Sequence, residues 1–207
     1  MTSLRLFAIT ALEDDSPGSP APGVQVVAFR DLDAIVAPAP YEVASRDVHD
    51  VELHRDVIAS LFTRFPVLPA PYGVAFESDH VLQRWLEVHY YTLSDALRFV
   101  EDRIGARLYV SERETLLDSE ITAGKTDVPA ISTEVFRVLR HHSVASSTLR
   151  ASNGGGQRTA GTFLVERDSW PAFSSVVAEE SRRHPSLLFR LTGPWPPYDF
   201  VRLQFGG

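Results

Sequence analysis

The feature that most constrains the fold is a change of hydrophobic period that occurs twice, in the same order, beyond Gly105. Residues 107–113 read as a strand. Residues 131–141 then place Val135, Val138 and Leu139 at helical spacing. Residues 144–150 and 161–166 return to β-forming composition, joined by the glycine-rich 152–157. Asp168 is placed to cap a helix to about residue 184, with Trp170, Phe173, Val176 and Val177 inward, and residues 187–191 form a last strand. The order strand-helix-strand-strand-helix-strand predicts a ferredoxin-like, split βαβ domain.

The first half has a different grammar. Residues 3–10, 24–29 and 34–37 read as strands separated by a Pro/Gly-rich loop at 13–23 and a polar turn at 30–33, which predicts an antiparallel sheet. Residues 47–65 read as a helix capped by Asp47, with Val48, Val51, Ile58, Leu61, Phe62 and Phe65 inward, stopped by Pro66. Residues 67–76 are extended. Ser78 caps a second helix to about residue 103, with Leu82, Trp85, Leu86, Leu93, Leu97 and Val100 on its buried stripe. The expected architecture is therefore α+β in two domains, an N-terminal α+β domain with an antiparallel sheet at 1–104 and a ferredoxin-like domain at 105–207.

Charge and composition exclude several classes of function. The 207 residues carry 20 basic and 27 acidic side chains, a net −7, with no long Lys/Arg run, so neither nucleic acid nor an anionic membrane is an expected partner. No stretch is apolar for long enough to cross a bilayer, and acidic residues follow the N-terminal apolar run too soon for a secretory leader. The absence of cysteine removes disulfides, thiol catalysis and thiolate metal sites.

Catalytic patterns are equally scarce. Gly124-Lys125-Thr126 lacks the earlier glycine of a phosphate loop, because Ser119 stands there, and reads as a solvated loop. Gly154, Gly155 and Gly156 lead into a strand, not a helix, so they form no dinucleotide cradle. His49 and His54 sit five residues apart on different helical faces, and the adjacent His141 and His142 diverge, so no shared metal site is expected. The acidic pairs Asp14-Asp15 and Glu179-Glu180 read as solvated charge. No catalytic, cofactor or metal-binding residue is therefore assigned, and the chain is expected not to be an enzyme.

One segment remains. Residues 191–200 contain Pro194, Pro196 and Pro197, which fix three φ angles and remove three amide donors. The expected product is a stiff, polyproline-like bend that holds Trp195, Tyr198 and Phe200 in set directions. Rigid aromatics lose little entropy on docking, so two uses fit: locking the tail onto the core, or contacting a partner.

This same segment, Gly193 to Val201, resembles the C-terminal signature of the gas vesicle GvpL/GvpF family. Residues 23–37 resemble that family's early strand-turn-strand, and residues 54–65 with 67–76 resemble its helix and following extended stretch. Residues 162–165 resemble its strand before a Trp/Phe-bearing helix. Ala70, Pro71 and Tyr72 depart from the family's Arg-Phe pair. The resemblance implies two domains, the second ferredoxin-like, with no catalysis and no cofactor. It implies a cytoplasmic assembly factor at the gas vesicle, whose partners are the hydrophobic shell protein and other gas vesicle accessory proteins. The candidate contact residues are Trp195, Tyr198, Phe200, Pro194, Pro196 and Pro197. A free-standing interaction domain and an enzyme with an inter-domain cleft are the alternative readings.

Overall fold

A computed structural model describes residues 3–11, 22–39, 48–113, 127–149 and 158–201. The expected Asp47 cap, most of the 13–23 and 118–128 loops, the 152–157 loop and Gly124-Lys125-Thr126 lie outside the described residues. The chain divides into two compact units. One runs to Asp102 and takes in the chain from Pro196 onward; the other is Arg103–Trp195.

Among the described residues the first unit is a five-stranded antiparallel sheet with two helices. Its strands are β1 (Leu4–Thr10), β2 (Gln25–Phe29), β3 (Leu32–Pro38), β4 (Val67–Pro69) and β5 (Ala75–Phe76), in the order β2-β3-β1-β4, with β5 also on β1. The helices are α1 (Val48–Phe62) and α2 (Asp79–Val100). β1 is buried on both faces, so its apolar residues run almost continuously instead of alternating. A register shift between Leu6 and Ala8 lets Leu4, Leu6 and Ile9 share one cluster with Leu82, Leu86, Leu93, Leu97 and Val100 of α2. Phe7 leaves that cluster and stacks on His54 of α1, with ring centroids 5.4 Å apart.

α2 matches its sequence pattern, with Ser78 accepting a hydrogen bond from the Val81 amide. α1 does not. Val48 and Val51 are exposed, while His54 and Val57 are buried beside Ile58, Leu61 and Phe62. The helix is rotated because the sheet offers an aromatic slot against Phe7, which a histidine ring fills. The β2–β3 turn is tied to α2: Tyr90 donates its hydroxyl to Asp31 at 2.6 Å, and the Arg30 guanidinium lies 4.5 Å from the Tyr90 ring centre.

The second unit is β6 (Arg103–Glu112), α3 (Val128–Arg140), β7 (Ala145–Leu149), β8 (Arg158–Glu166), α4 (Trp170–Arg183) and β9 (Leu187–Trp195). Its sheet order is β7-β8-β6-β9, antiparallel throughout, so each strand-helix-strand crossover leaves one strand between its ends. That is the ferredoxin-like topology. Phe163 of β8 packs edge-on to Phe136 of α3 and tilted against Phe173 of α4, placing the helices on one face.

Three local readings change. Asp168 does not cap α4; it lies in a 3-10 turn over Arg167–Ser169, which is contiguous with the helix. α3 starts at Val128, where the Asp127 carboxylate accepts from the Ala130 amide at 3.0 Å. β9 continues past residue 191 through Pro194 to Trp195, where a polyproline-like bend was expected. Among the described residues β9 is an edge strand that pairs with β6 alone, so the missing proline amide costs no ladder bond on its open side. The compact units divide between Asp102 and Arg103, and the tail from Pro196 belongs with the first unit, where Val201 packs against the α2 cluster.

Candidate functional site

The proline-rich segment begins inside β9. Gly193 has φ +136°, and a Cβ there would come 2.9 Å from the Gly105 carbonyl oxygen and 3.2 Å from the Trp170 ring. Only glycine meets both conditions. The Gly193–Pro194 peptide is cis. Trp195 is paired opposite Gly105, with a register irregularity between Gly105 and Arg107.

Beyond Trp195 the chain turns. The Tyr198 amide donates to the Pro196 carbonyl at 2.7 Å, and the Phe200 amide donates to the Pro197 carbonyl at 3.0 Å. Pro196 and Pro197 are buried, Phe200 is half-buried, and Pro194 is exposed. Trp195 is 48% exposed and Tyr198 40%. Burial pushes the Tyr198 phenol above its ordinary value, and the Arg55 cation pulls the other way. The six expected contact residues therefore separate into Pro194 and Trp195 on the second unit and Pro196, Pro197, Tyr198 and Phe200 with the first. Their buried members are prolines; their open members are Pro194 and the two largest rings.

Sequence reasoning missed two further features. His54 is buried, donates from Nε2 to the Ala70 carbonyl at 3.0 Å, and has no hydrogen-bond partner at Nδ1. Tyr72 approaches it edge-on at 5.4 Å, and Arg5 lies over Tyr72 while pairing with Asp50 at 3.5 Å. Desolvation drives the His54 pKa below its ordinary value. The second feature is a cavity of about 460 Å³ on the second unit, lined by Arg107, Tyr109, Ser111, Arg158, Leu188, Arg190, Thr192 and Trp195. Its residues come from three strands, so no local motif could announce it. Among the described residues, no three His, Asp or Glu side chains converge as a metal site would require. Nor is any described helix long and apolar enough to cross a membrane.

The chain is thus a two-unit α+β protein with a ferredoxin-like second unit and a proline-braced aromatic tail. The family model described as "Gas vesicle synthesis protein GvpL/GvpF" matches residues 5–135 and 126–202. Gas vesicle protein F2 of Halobacterium salinarum is 26% identical over 186 residues, 87% of this chain and 81% of that protein. Gas vesicle protein F of Haloferax mediterranei is 24% identical, covering 88% of this chain and 84% of that one. The crystal structure of GvpF from Anabaena sp. PCC7120 superposes with a TM-score of 0.76 at 13% identity, covering 99% of this chain and 100% of that one. GvpF from Microcystis aeruginosa gives 0.74 at 13% identity, covering 98% and 100%. The chain belongs to the gas vesicle GvpL/GvpF family, and its family ties it to gas vesicle formation.

Proposed function

We propose that this protein is a non-catalytic accessory factor that contacts the hydrophobic gas vesicle shell protein in the cytoplasm and assists its assembly or nucleation. Shell subunits expose apolar surface before they polymerise, and such surface aggregates unless covered. An acidic carrier stays dispersed while a few rigid rings cover part of that surface. The observation that carries the reading is the division of labour in the tail: Pro196 and Pro197 are buried anchors, while Trp195 and Tyr198 keep their rings open.

The open half of a tryptophan offers roughly 100 Å². At ~25 cal/mol per Å² its full burial contributes at most about 2.5 kcal/mol, several tens of fold in Kd. The test is capture of purified shell protein by Trp195→Ala, with circular dichroism showing that the variant is folded. Loss of capture supports the proposal. A folded variant that captures as well as the parent removes the aromatic contact and leaves the tail with its architectural role.

A further inference from the structure

The sheet of the second unit has a face whose chemistry runs against the charge of the whole chain. Residues 103–195 carry 12 basic and 10 acidic side chains, a net +2; the rest of the chain carries 8 and 17, a net −9. Three of those arginines line the 460 Å³ cavity, together with Tyr109 and Trp195, and among the described residues no carboxylate lines it.

Strand register fixes how the arginines are arranged. Arg158 on β8 stands opposite Ser111 of β6. Arg190 on β9 stands opposite Tyr109, and Arg107 on β6 stands opposite Thr192. Positions 111, 109 and 107 follow one another on a single face of β6, because side chains alternate across a strand. The three arginine Cα positions thus occupy three successive rows, about 6.8 Å apart along the strand and displaced by at most about 4.8 Å to either side, and all three side chains reach the cavity. An extended peptide carries the side chains of residues i, i+2 and i+4 at that same spacing. Guanidinium groups receive carboxylates in paired hydrogen bonds. Tyr109 and the half-open Trp195 supply flat surface for the intervening residues.

We propose that this face is a docking site for an extended acidic segment of a partner protein, with carboxylates at alternate positions. Three cations across three strands reach too few phosphates to hold a nucleic acid against a chain of net −7. A short peptide brings only a few charges, which salt screens from the distant acidic residues. Trp195 borders both surfaces, but the arginine variants leave it unchanged and the peptide assay uses no shell protein, so this test is separate from that of the tail contact.

The probe is a fluorescein-labelled peptide of alternating Glu and Thr, read by anisotropy on the full chain. The controls are a peptide of the same composition with its glutamates contiguous, an alternating Lys/Thr peptide, and a ten-residue oligothymidine. The alternating acidic peptide is expected to bind best and to weaken with salt. The double variant Arg158→Gln/Arg190→Gln alters two exposed side chains and is expected to weaken it about tenfold. The single variant Arg190→Gln is expected to have a smaller effect of the same sign. Binding unchanged in the double variant overturns the proposal. So does absence of binding, equal binding of the contiguous peptide, or tighter binding of the oligonucleotide.

Discussion

His54 makes the stability of the first unit depend on pH. Its ring is 6% exposed, stacked on Phe7, and holds the Ala70 carbonyl through Nε2–H, while Nδ1 faces no partner. Protonating Nδ1 would place a charge in an apolar slot with Arg5 nearby, so burial lowers the pKa and Arg5 adds to the effect; the Ala70 hydrogen bond opposes both. In the unfolded chain the ring takes up its proton near the ordinary value of 6.5. The neutral ring's stabilisation is therefore complete above pH ~6.5 and is lost as pH falls toward the depressed folded value. One proton sets a limiting slope of about 1.4 kcal/mol per pH unit in that window.

The variant His54→Leu removes the titration. It also orphans the Ala70 carbonyl, which costs about 1–3 kcal/mol at pH 8. The two proteins should therefore differ most at neutral pH and converge as the solution is acidified. Urea unfolding at pH 8, 7, 6 and 5 measures this, and the wild-type-minus-variant difference cancels the groups common to both. A difference that stays constant from pH 8 to pH 5 refutes the reasoning.

Two other perturbations test the architecture. Gly193→Ala introduces a Cβ 2.9 Å from the Gly105 carbonyl at φ +136° and should destabilise the second unit by about 1–3 kcal/mol in thermal unfolding. Asp127→Ala removes the acceptor for the Ala130 amide at the start of α3 and should cost about 1 kcal/mol; Asp127→Asn should recover most of it.

The elements were legible where one physical rule governed them. α2 shows a clean apolar stripe because its other face meets solvent, and the two crossovers of the second unit announce themselves by period alone. α1 was misoriented because a histidine reads as polar in sequence, yet an imidazole with one satisfied nitrogen fits beside Phe7 better than Val48 or Val51 could. Pro194, Pro196 and Pro197 read as a bend after a strand ending at residue 191, but an edge strand tolerates proline, and among the described residues β9 is an edge. The motif's prolines and rings were visible as a group. Which of them are buried depends on the tail's return to the first unit, a long-range contact that no local pattern encodes. The arginine face was invisible for the same reason: Arg107, Arg158 and Arg190 come together only through ladder register.

The return of the chain at Pro196 makes the ferredoxin-like unit an insertion within the first unit. Gly105 lies opposite Trp195 across one ladder, so the insert enters and leaves within a strand's width. Such an insert can be cut out as residues 103–195 with its sheet complete, whereas residues 1–102 alone would leave the place of Val201 vacant. On the ribosome the order inverts: of these two units, the one whose synthesis begins first is finished second, because it waits for its closing segment until the insert has emerged.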